Sequence, residues 1–404
     1  MPTALDGIRV LDLSRVLAGP WATQLLADLG AEVIKVEKPG EGDDTRHWGP
    51  PFVASPDGKT REGAYFLCAN RGKRSICVDL ARPEGQKILH GLAAGSDVLV
   101  ENFKVGTLAR YGLDYETLKR INPRLVYCSI TGFGQDGPYA SRPGYDFMIQ
   151  GMSGLMSVTG ETEGDPLKVG VALADITTGM YACNAILAAL MQRERTGAGQ
   201  HIDVALLDSM VAALANQALN FLVSGRSPGR LGNAHPNIVP YAVFTASDAP
   251  FIVAVGNDGQ FRKLCALLGV PELGSDARFN SNVQRVANRA ELTALLNERL
   301  SVNTVAHWLP RLGEYGIPAG PINTIEQVFA DPHVRHRGLE LALQREGLGT
   351  VPGVACPIRL SEAQVTSTLA PPALGSGTRA VLKARLDMSD ADLDTLERSG
   401  TISS

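Results

Sequence analysis

The side chain best placed to do chemistry lies in the stretch 167–200, LKVGVALADITTGMYACNAILAALMQRERTGAGQ. Asp175 stands between Ala174 and Ile176, with Thr177, Thr178 and Gly179 behind it and an apolar helix expected over Met180–Met191. A carboxylate among such neighbours loses hydration, so it must be neutralised, hydrogen-bonded or employed. Two readings are open locally. Asp175 either caps the helix behind it, accepting from backbone N–H groups near Thr177 and Thr178, or it serves a functional site.

Other candidates cluster in connections rich in glycine and basic residues: Lys38–Asp43, Asn70-Arg71-Gly72-Lys73-Arg74-Ser75, Glu101-Asn102-Phe103-Lys104 and Gly132-Phe133-Gly134-Gln135. The NRGKRS run packs three positive charges into six residues. Alone it reads as a solvated loop; between apolar runs, in an acidic protein, it reads as an anion cradle. Gly132–Gly137 spells GxGxxG after an expected strand. A dinucleotide site needs a helix to start inside those glycines, whereas Pro138, Ser141, Arg142, Pro143 and Gly144 follow, which is loop chemistry. His235 sits in another loop, GNAHPNIVP, as a base or as a structural hydrogen-bonding group.

The elements that must position these residues alternate. A strand over Ile8–Leu13, a helix from Gly19-Pro20 stopping at Gly30, and a strand over Glu32–Val36 form the first β-α-β unit. Proline at its helix start and glycine at its end fit the usual asymmetry. Helix Pro83–Ala94, strand Asp97–Val100, helix Tyr115–Ile121 and strand Leu125–Ile130 continue the alternation, which predicts an α/β fold with a Rossmann-like parallel sheet. Several of the connections above fall at strand ends, the edge where open parallel sheets bind ligands. Strand His201–Ala205 and helix Asp208–Val223 complete a large domain over 1–224. A smaller α+β domain is expected over 225–324: strand Phe251–Val255, helices Gln260–Leu268, Arg289–Arg299 and Thr304–Leu312, and a stiff linker GIPAGP over Gly316–Pro321. A C-terminal return over 325–404 includes a helical turn at Ile325–Ala330 and a terminal helix capped by Ser389.

The totals bound the function. The chain has 404 residues, 44% of them hydrophobic and 20% charged, a globular balance for more than one domain. A net charge of −4 and a pI near 6.0 argue against nucleic acid or a membrane surface as partner. Six cysteines without CxxC spacing read as reduced thiols of a cytoplasmic protein. No secretory leader is evident at the N-terminus, and no window approaches 18 uninterrupted apolar residues.

Taken together, LDGIRVLDLSRVLAGP (5–20), GAEVIKVEKPGEGDDTR (30–46), NRGKRSICVDL (70–80), DVLVENF (97–103), GFGQDGPY (132–139) and ALADITTGMYA (172–182) resemble the family III CoA-transferases, which include formyl-CoA transferase and carnitine CoA-transferase. GNAHPNIVPY and YGIPAGPIN look most like the succinyl-CoA:glutarate branch. The resemblance covers nearly the whole chain. It implies that Asp175 is the nucleophile of a double displacement, passing through an aspartyl-acyl anhydride and an aspartyl-CoA thioester. Coenzyme A is then a substrate, and no cofactor or metal stays bound. Leu17 and Ala18 would touch CoA through the backbone, and Lys38, Arg71, Lys73, Arg74 and Arg110 would meet its phosphates. Asn70, Asn102, Phe103, Gly132 and Phe133 would border it. Both glycine loops, 132–137 and that of Gly232, are candidates for the N–H groups facing an oxyanion.

Arg15, Arg46, Gln135 and His235 are the candidates to hold the acid substrate. A dicarboxylate needs a cation for its far end, and arginine matches it best; Arg46 could instead serve a surface ion pair with the GDD run beside it. Lys38 replaces the arginine of formyl-CoA transferase, and that enzyme's long glycine-rich loop is absent, which speaks against oxalate and formate. The family also holds α-methylacyl-CoA racemases, whose histidine base falls at Tyr145 here; without it the proton-shuttling pair is missing. Members form interlocked, ring-like homodimers, and the C-terminal return would close the ring.

Overall fold

The computed structural model describes residues 3–365 and 367–404, which divide into two compact units. The first comprises 1–153, 169–214 and 333–404; the second comprises 154–168 and 215–332. The sequence boundary at 224 therefore shifts. Residues 215–224 belong with the second unit, and so does the 154–168 segment.

The first unit is built on one seven-stranded sheet. Its strands are β1 (Arg9–Asp12), β2 (Glu32–Glu37), β3 (Lys73–Val78), β4 (Val98–Glu101), β5 (Val126–Thr131), β6 (His201–Ala205) and β7 (Ile402–Ser403), in the order β7-β3-β2-β1-β4-β5-β6. The first six run parallel, and β7 pairs antiparallel with β3 at the edge, Ile402 opposite Val78. Val98, Leu99 and Val100 are fully buried, the unbroken apolar run expected of a central strand covered on both faces. From β1 the chain winds outward through β2 and β3, returns to β4, and winds the other way through β5 and β6. The carboxyl ends of β1 and β4 thus flank the switch point, where open sheets of this order leave a crevice.

Five helices matter for the site: α1 (Ala18–Asp28), α2 (Pro83–Ala94), α3 (Tyr115–Ile121), α4 (Asp146–Met152) and α5 (Leu173–Thr196). Of these, α2 and α3 have the bounds read from sequence. Helix α5 starts seven residues before the expected Met180, because Ile176, Thr177, Thr178 and Gly179 look like poor helix formers. Gly179 is there for packing. A Cβ on it would come within 2.6 Å of the Ala18 carbonyl oxygen, so only glycine lets α5 lie this close to the start of α1.

The basic run is corrected too. Lys73-Arg74-Ser75 is the start of strand β3, not a loop. The helix expected over 208–223 is two helices, Leu206–Ala213 and Ala215–Ser224, broken where Ala215 takes a φ of 46°. Of the C-terminal return, residues 333–404 belong to the first unit and 325–332 to the second. Thr378 Oγ1 accepts from Cys77 N–H at 3.0 Å and donates to the Ser403 carbonyl at 2.7 Å, tying the last helices to β3.

The second unit carries a three-stranded antiparallel sheet, Tyr241–Thr245, Pro250–Ala254 and Ala319–Pro321. The last of these lies within the GIPAGP segment expected to be a linker. Helices Asp258–Leu267, Arg289–Leu300 and Val305–Glu314 bury Phe261, Leu264, Leu292, Leu296, Trp308 and Leu312 against it.

Candidate active site

A cavity of about 240 Å³ opens at the switch point, bounded wholly by the first unit. Arg15, Val16, Leu17 and Ala18 reach it from the end of β1, Asn102 to Val105 from β4, and Ile130 to Gly132 from β5. Asp175, Tyr145 and Asp146 complete the wall. Leu17, the N-cap of α1, provides no side-chain hydrogen bond. An uncapped helix start at a cavity favours an anion.

Asp175 lies in the first turn of α5 and caps nothing: the N-cap is Ala172, and no side chain caps that end. This corrects the capping reading. Among the described residues its carboxylate has neither hydrogen bond nor cation. Burial first, and the Asp146 charge second, push its pKa up to about 7, although its position in the first helical turn favours the anion. Asp146 is held in place by the Ala174 N–H, which donates to Oδ1 at 2.7 Å, and by Gln150, which donates to Oδ2 at 2.7 Å. Tyr65 completes the group: burial and then the Asp175 charge push its phenol up to about 12, and its ring packs edge-on against Trp48, centroids 5.2 Å apart. No sequence signal marked Asp146 or Tyr65 as a neighbour of Asp175.

The loop after β1 is strained. Val16, β-branched, has a φ of 69°, a conformation that costs energy and persists only where neighbours impose it. Its N–H donates to both Asp43 oxygens, at 3.3 and 3.2 Å. Asn102 fixes the preceding residue, accepting from Arg15 N–H at 2.9 Å and donating to its carbonyl at 2.7 Å. Glu101 accepts from Phe103 N–H at 2.7 Å and holds the neighbouring wall.

Of the residues named from sequence, the structure gathers Leu17, Ala18, Asn102, Phe103, Gly132, Arg15 and Asp175 around this one cavity. Lys38 is exposed, pairs with Glu41 at 2.6 Å, and lines an adjoining apolar cavity with Phe103 and Arg15. Phe133 stacks edge to face with Tyr139. Gln135 lines a separate recess, its N–H donating to Asp203.

Several of the expected ligand contacts are side chains engaged inside the fold. Arg71 is buried, bound to Asp28 at 2.6 Å and to the Val354 carbonyl at 2.7 Å. Lys73 is fully buried on Asp12, the Pro20 carbonyl and Asn70 Oδ1, each at 3.0 Å. Asn70 spends its amide on the Phe66 carbonyl. These bonds commit all three side chains to the interior of the first unit. Arg74 is exposed at another recess, 3.9 Å from Glu32, and Arg110 is exposed in the turn Leu108–Tyr111; neither lines the cavity.

Arg46 is 4% exposed, paired with Glu37 at 2.6 Å and Glu62 at 2.9 Å, with its guanidinium 3.7 Å from the Phe66 ring centroid. Its charge is matched by these two buried acids, and it is not a surface partner of the GDD run. Three of the N–H groups in the loops proposed to face an oxyanion are engaged elsewhere: Gly134 donates to Thr131 Oγ1, Gln135 to Asp203, and Gly232 to the Gly160 carbonyl. The GxGxxG loop opens no helix, and α4 begins only at Asp146. His235 belongs to the second unit, where its Nδ1 accepts from Asn237 N–H and its ring packs near Tyr241. No histidine lines the Asp175 cavity, and among the described residues no His, Cys, Asp or Glu cluster could hold a metal.

Fold and cavity thus define an α/β enzyme scaffold with an unpaired carboxylate at its switch point. The sequence profile of CoA-transferase family III matches residues 5–378, and the chain belongs to that family. The succinate–glutarate CoA-transferase of Agrobacterium fabrum is 52% identical over 397 residues, 98% of this chain and 97% of that relative. The human succinyl-CoA:glutarate CoA-transferase is 45% identical over 400 residues, 98% of this chain and 90% of the relative. A crystal structure of a CaiB/BaiF family protein from Brucella suis superposes with a TM-score of 0.84 at 55% identity, covering 95% of this chain and all of that one. The protein is a CoA-transferase, and CoA thioesters are its substrates.

Proposed function

We propose that the protein moves CoA from succinyl-CoA to a small dicarboxylic acid such as glutarate, with Asp175 as the covalent carrier. The unpaired state of Asp175 supports this best. A carboxylate sheltered from water with no partner is costly to keep, and it is more nucleophilic for lacking a hydration shell. It would attack the donor carbonyl, forming a mixed anhydride and expelling CoA thiolate. The thiolate then attacks the aspartyl carbonyl and releases the donor acid, leaving an aspartyl-CoA thioester. The acceptor carboxylate displaces this thiolate, and the second anhydride gives up its acyl group to CoA. The dicarboxylate reading leans on the names of the relatives and on cations lining the cavity. The racemase reading lacks the histidine of its proton-shuttling pair, since Tyr145 occupies the place and no imidazole lines the wall.

Incubation with succinyl-CoA, digestion and mass analysis should find CoA on the peptide that contains Asp175, and glutarate should remove it. Absence of any adduct under turnover conditions would sink the carrier role. The first half-reaction needs the ionised carboxylate, so kcat/KM for the donor should rise tenfold per pH unit below about 7 and level off above it. Asp146→Asn removes the charge that adds to burial, and the limb should move to lower pH by up to about one unit; an unmoved limb assigns it to another group.

We further propose a homodimer, interlocked through the C-terminal return. Its support is apolar exposure: Met180 and Met191 on α5 are 51% and 70% exposed, and Leu222 and Val223 are 71% and 83% exposed on their own helix. Thermal unfolding midpoints should rise with protein concentration, and sedimentation giving a stable monomer at micromolar concentration would exclude it.

A further inference from the structure

Three cations fringe the Asp175 cavity, and they are not equivalent: Arg15, Lys104 and Arg142. Arg15 is paired with Asp44 at 3.4 Å, and Asn102 fixes its main chain. Lys104 offers a point charge on a flexible stem, a poorer match to a carboxylate than a guanidinium fork. Arg142 lies 4.5 Å from the Tyr139 ring centroid and 5.4 Å from that of Phe133, and those two rings pack edge to face. Aromatic faces orient a guanidinium without neutralising it. Among the described residues no carboxylate pairs with Arg142, so its fork is both positioned and free.

Two carboxylates, Asp175 and Asp146, stand on the same wall. No cation counters Asp175, whose ionisation is governed by burial and by Asp146. A diacid presenting one carboxylate oxygen to the CoA-loaded Asp175 must therefore carry its second charge away from that wall, to a site that can replace its lost hydration. We propose that Arg142 is the specificity-determining residue of this cavity, receiving the distal carboxylate of the dicarboxylic acid through two parallel N–H···O bonds. The assignment rests on the dicarboxylate reading above and adds the residue that enforces it.

Glutarate and its monomethyl ester react with the same CoA-loaded enzyme, so the ratio of their kcat/KM values cancels the donor step. The parent should favour glutarate by about 100-fold, and Arg142→Gln should shrink that ratio by about 10- to 100-fold, as expected for one lost charge-assisted contact. Arg142→Lys keeps the charge without the fork and should shrink it by about 3- to 10-fold; it decides the matter if the glutamine variant does not fold. An unchanged ratio in the folded variants, including an equal loss on both acceptors, overturns the assignment. A parent that loads Asp175 yet shows no preference for the diacid removes the dicarboxylate reading itself, and this inference falls with it.

Discussion

Asp175→Asn should lower CoA transfer by at least about 10⁴-fold, as loss of a covalent nucleophile commonly does, and should make the protein more stable in mildly alkaline buffer. The two effects have one origin. The side chain is sheltered and unpaired, and its carboxyl titrates near 7 in the folded chain against about 3.8 for an ordinary aspartate. The folded state then holds a proton that the unfolded state has lost across that interval, so stability falls as pH rises from about 4 to about 7. Above 7 the full cost of the buried charge is present. Asparagine has the same shape and carries no charge. A pKa displacement of this size caps the gain at about 4 kcal/mol, and partial access of water to the cavity brings the expected value to about 1–3 kcal/mol. Urea unfolding of parent and variant at pH 8 and pH 4 checks this, the difference being large at the first and near zero at the second. An active variant, or one less stable than the parent at both pH values, contradicts the reading of Asp175 as a strained and unpaired group.

The parallel sheet was legible because local grammar and long-range pairing agree there. Pro83 opens α2, Gly30 follows α1, and the apolar run of β4 fits a strand buried on both faces. The gathering of Leu17, Ala18, Asn102, Phe103 and Gly132 followed from the same pattern, since each stands just beyond a strand whose carboxyl end opens on the switch point. What misled was charge. Arg71, Lys73 and Arg46 read as ligand-binding because their partners are remote: Lys73 meets an acid 61 positions away, and Arg71 one 43 positions away. No local signal distinguishes a cation with a buried acid from one awaiting a phosphate. Arg142, left free by the fold, stood in a loop noted only for its turn residues. The start of α5 was misplaced for a related reason: the Gly179 contact with Ala18 is a tertiary requirement, and a glycine after two threonines looks like a stop until the facing helix is known.

The buried ions are still tied to function, through Asp43. Its carboxylate accepts from Lys35 at 2.9 Å, from Thr45 N–H at 3.0 Å and hydroxyl at 2.7 Å, and from the strained Val16 N–H, while its own N–H donates to Glu37 at 2.9 Å. Lys35 and Asp43 have fully buried side chains. Asp43→Ala should destabilise the protein by about 3–5 kcal/mol, because Lys35 is left as a poorly compensated buried charge. The pH dependence separates this from loss of packing. Burial alone would raise the Asp43 carboxyl, but the Lys35 charge and the hydrogen bonds win and hold it down to about 2. A folded pKa below the unfolded one gives stability that is complete above about pH 4 and is lost as pH falls towards 2. The deficit of the alanine variant should therefore be full at pH 7 and shrink at pH 3, whereas a packing defect persists at both. Released from Asp43, Val16 is free to leave its left-handed conformation, whose cost is about 1–3 kcal/mol. Leu17 and Ala18 would move with it, so KM for the acyl-CoA should rise several-fold even where enough folded enzyme remains to measure it. A variant with parental KM and a pH-independent deficit would show that the ionic cluster supports the sheet alone and leaves the cavity wall to other contacts.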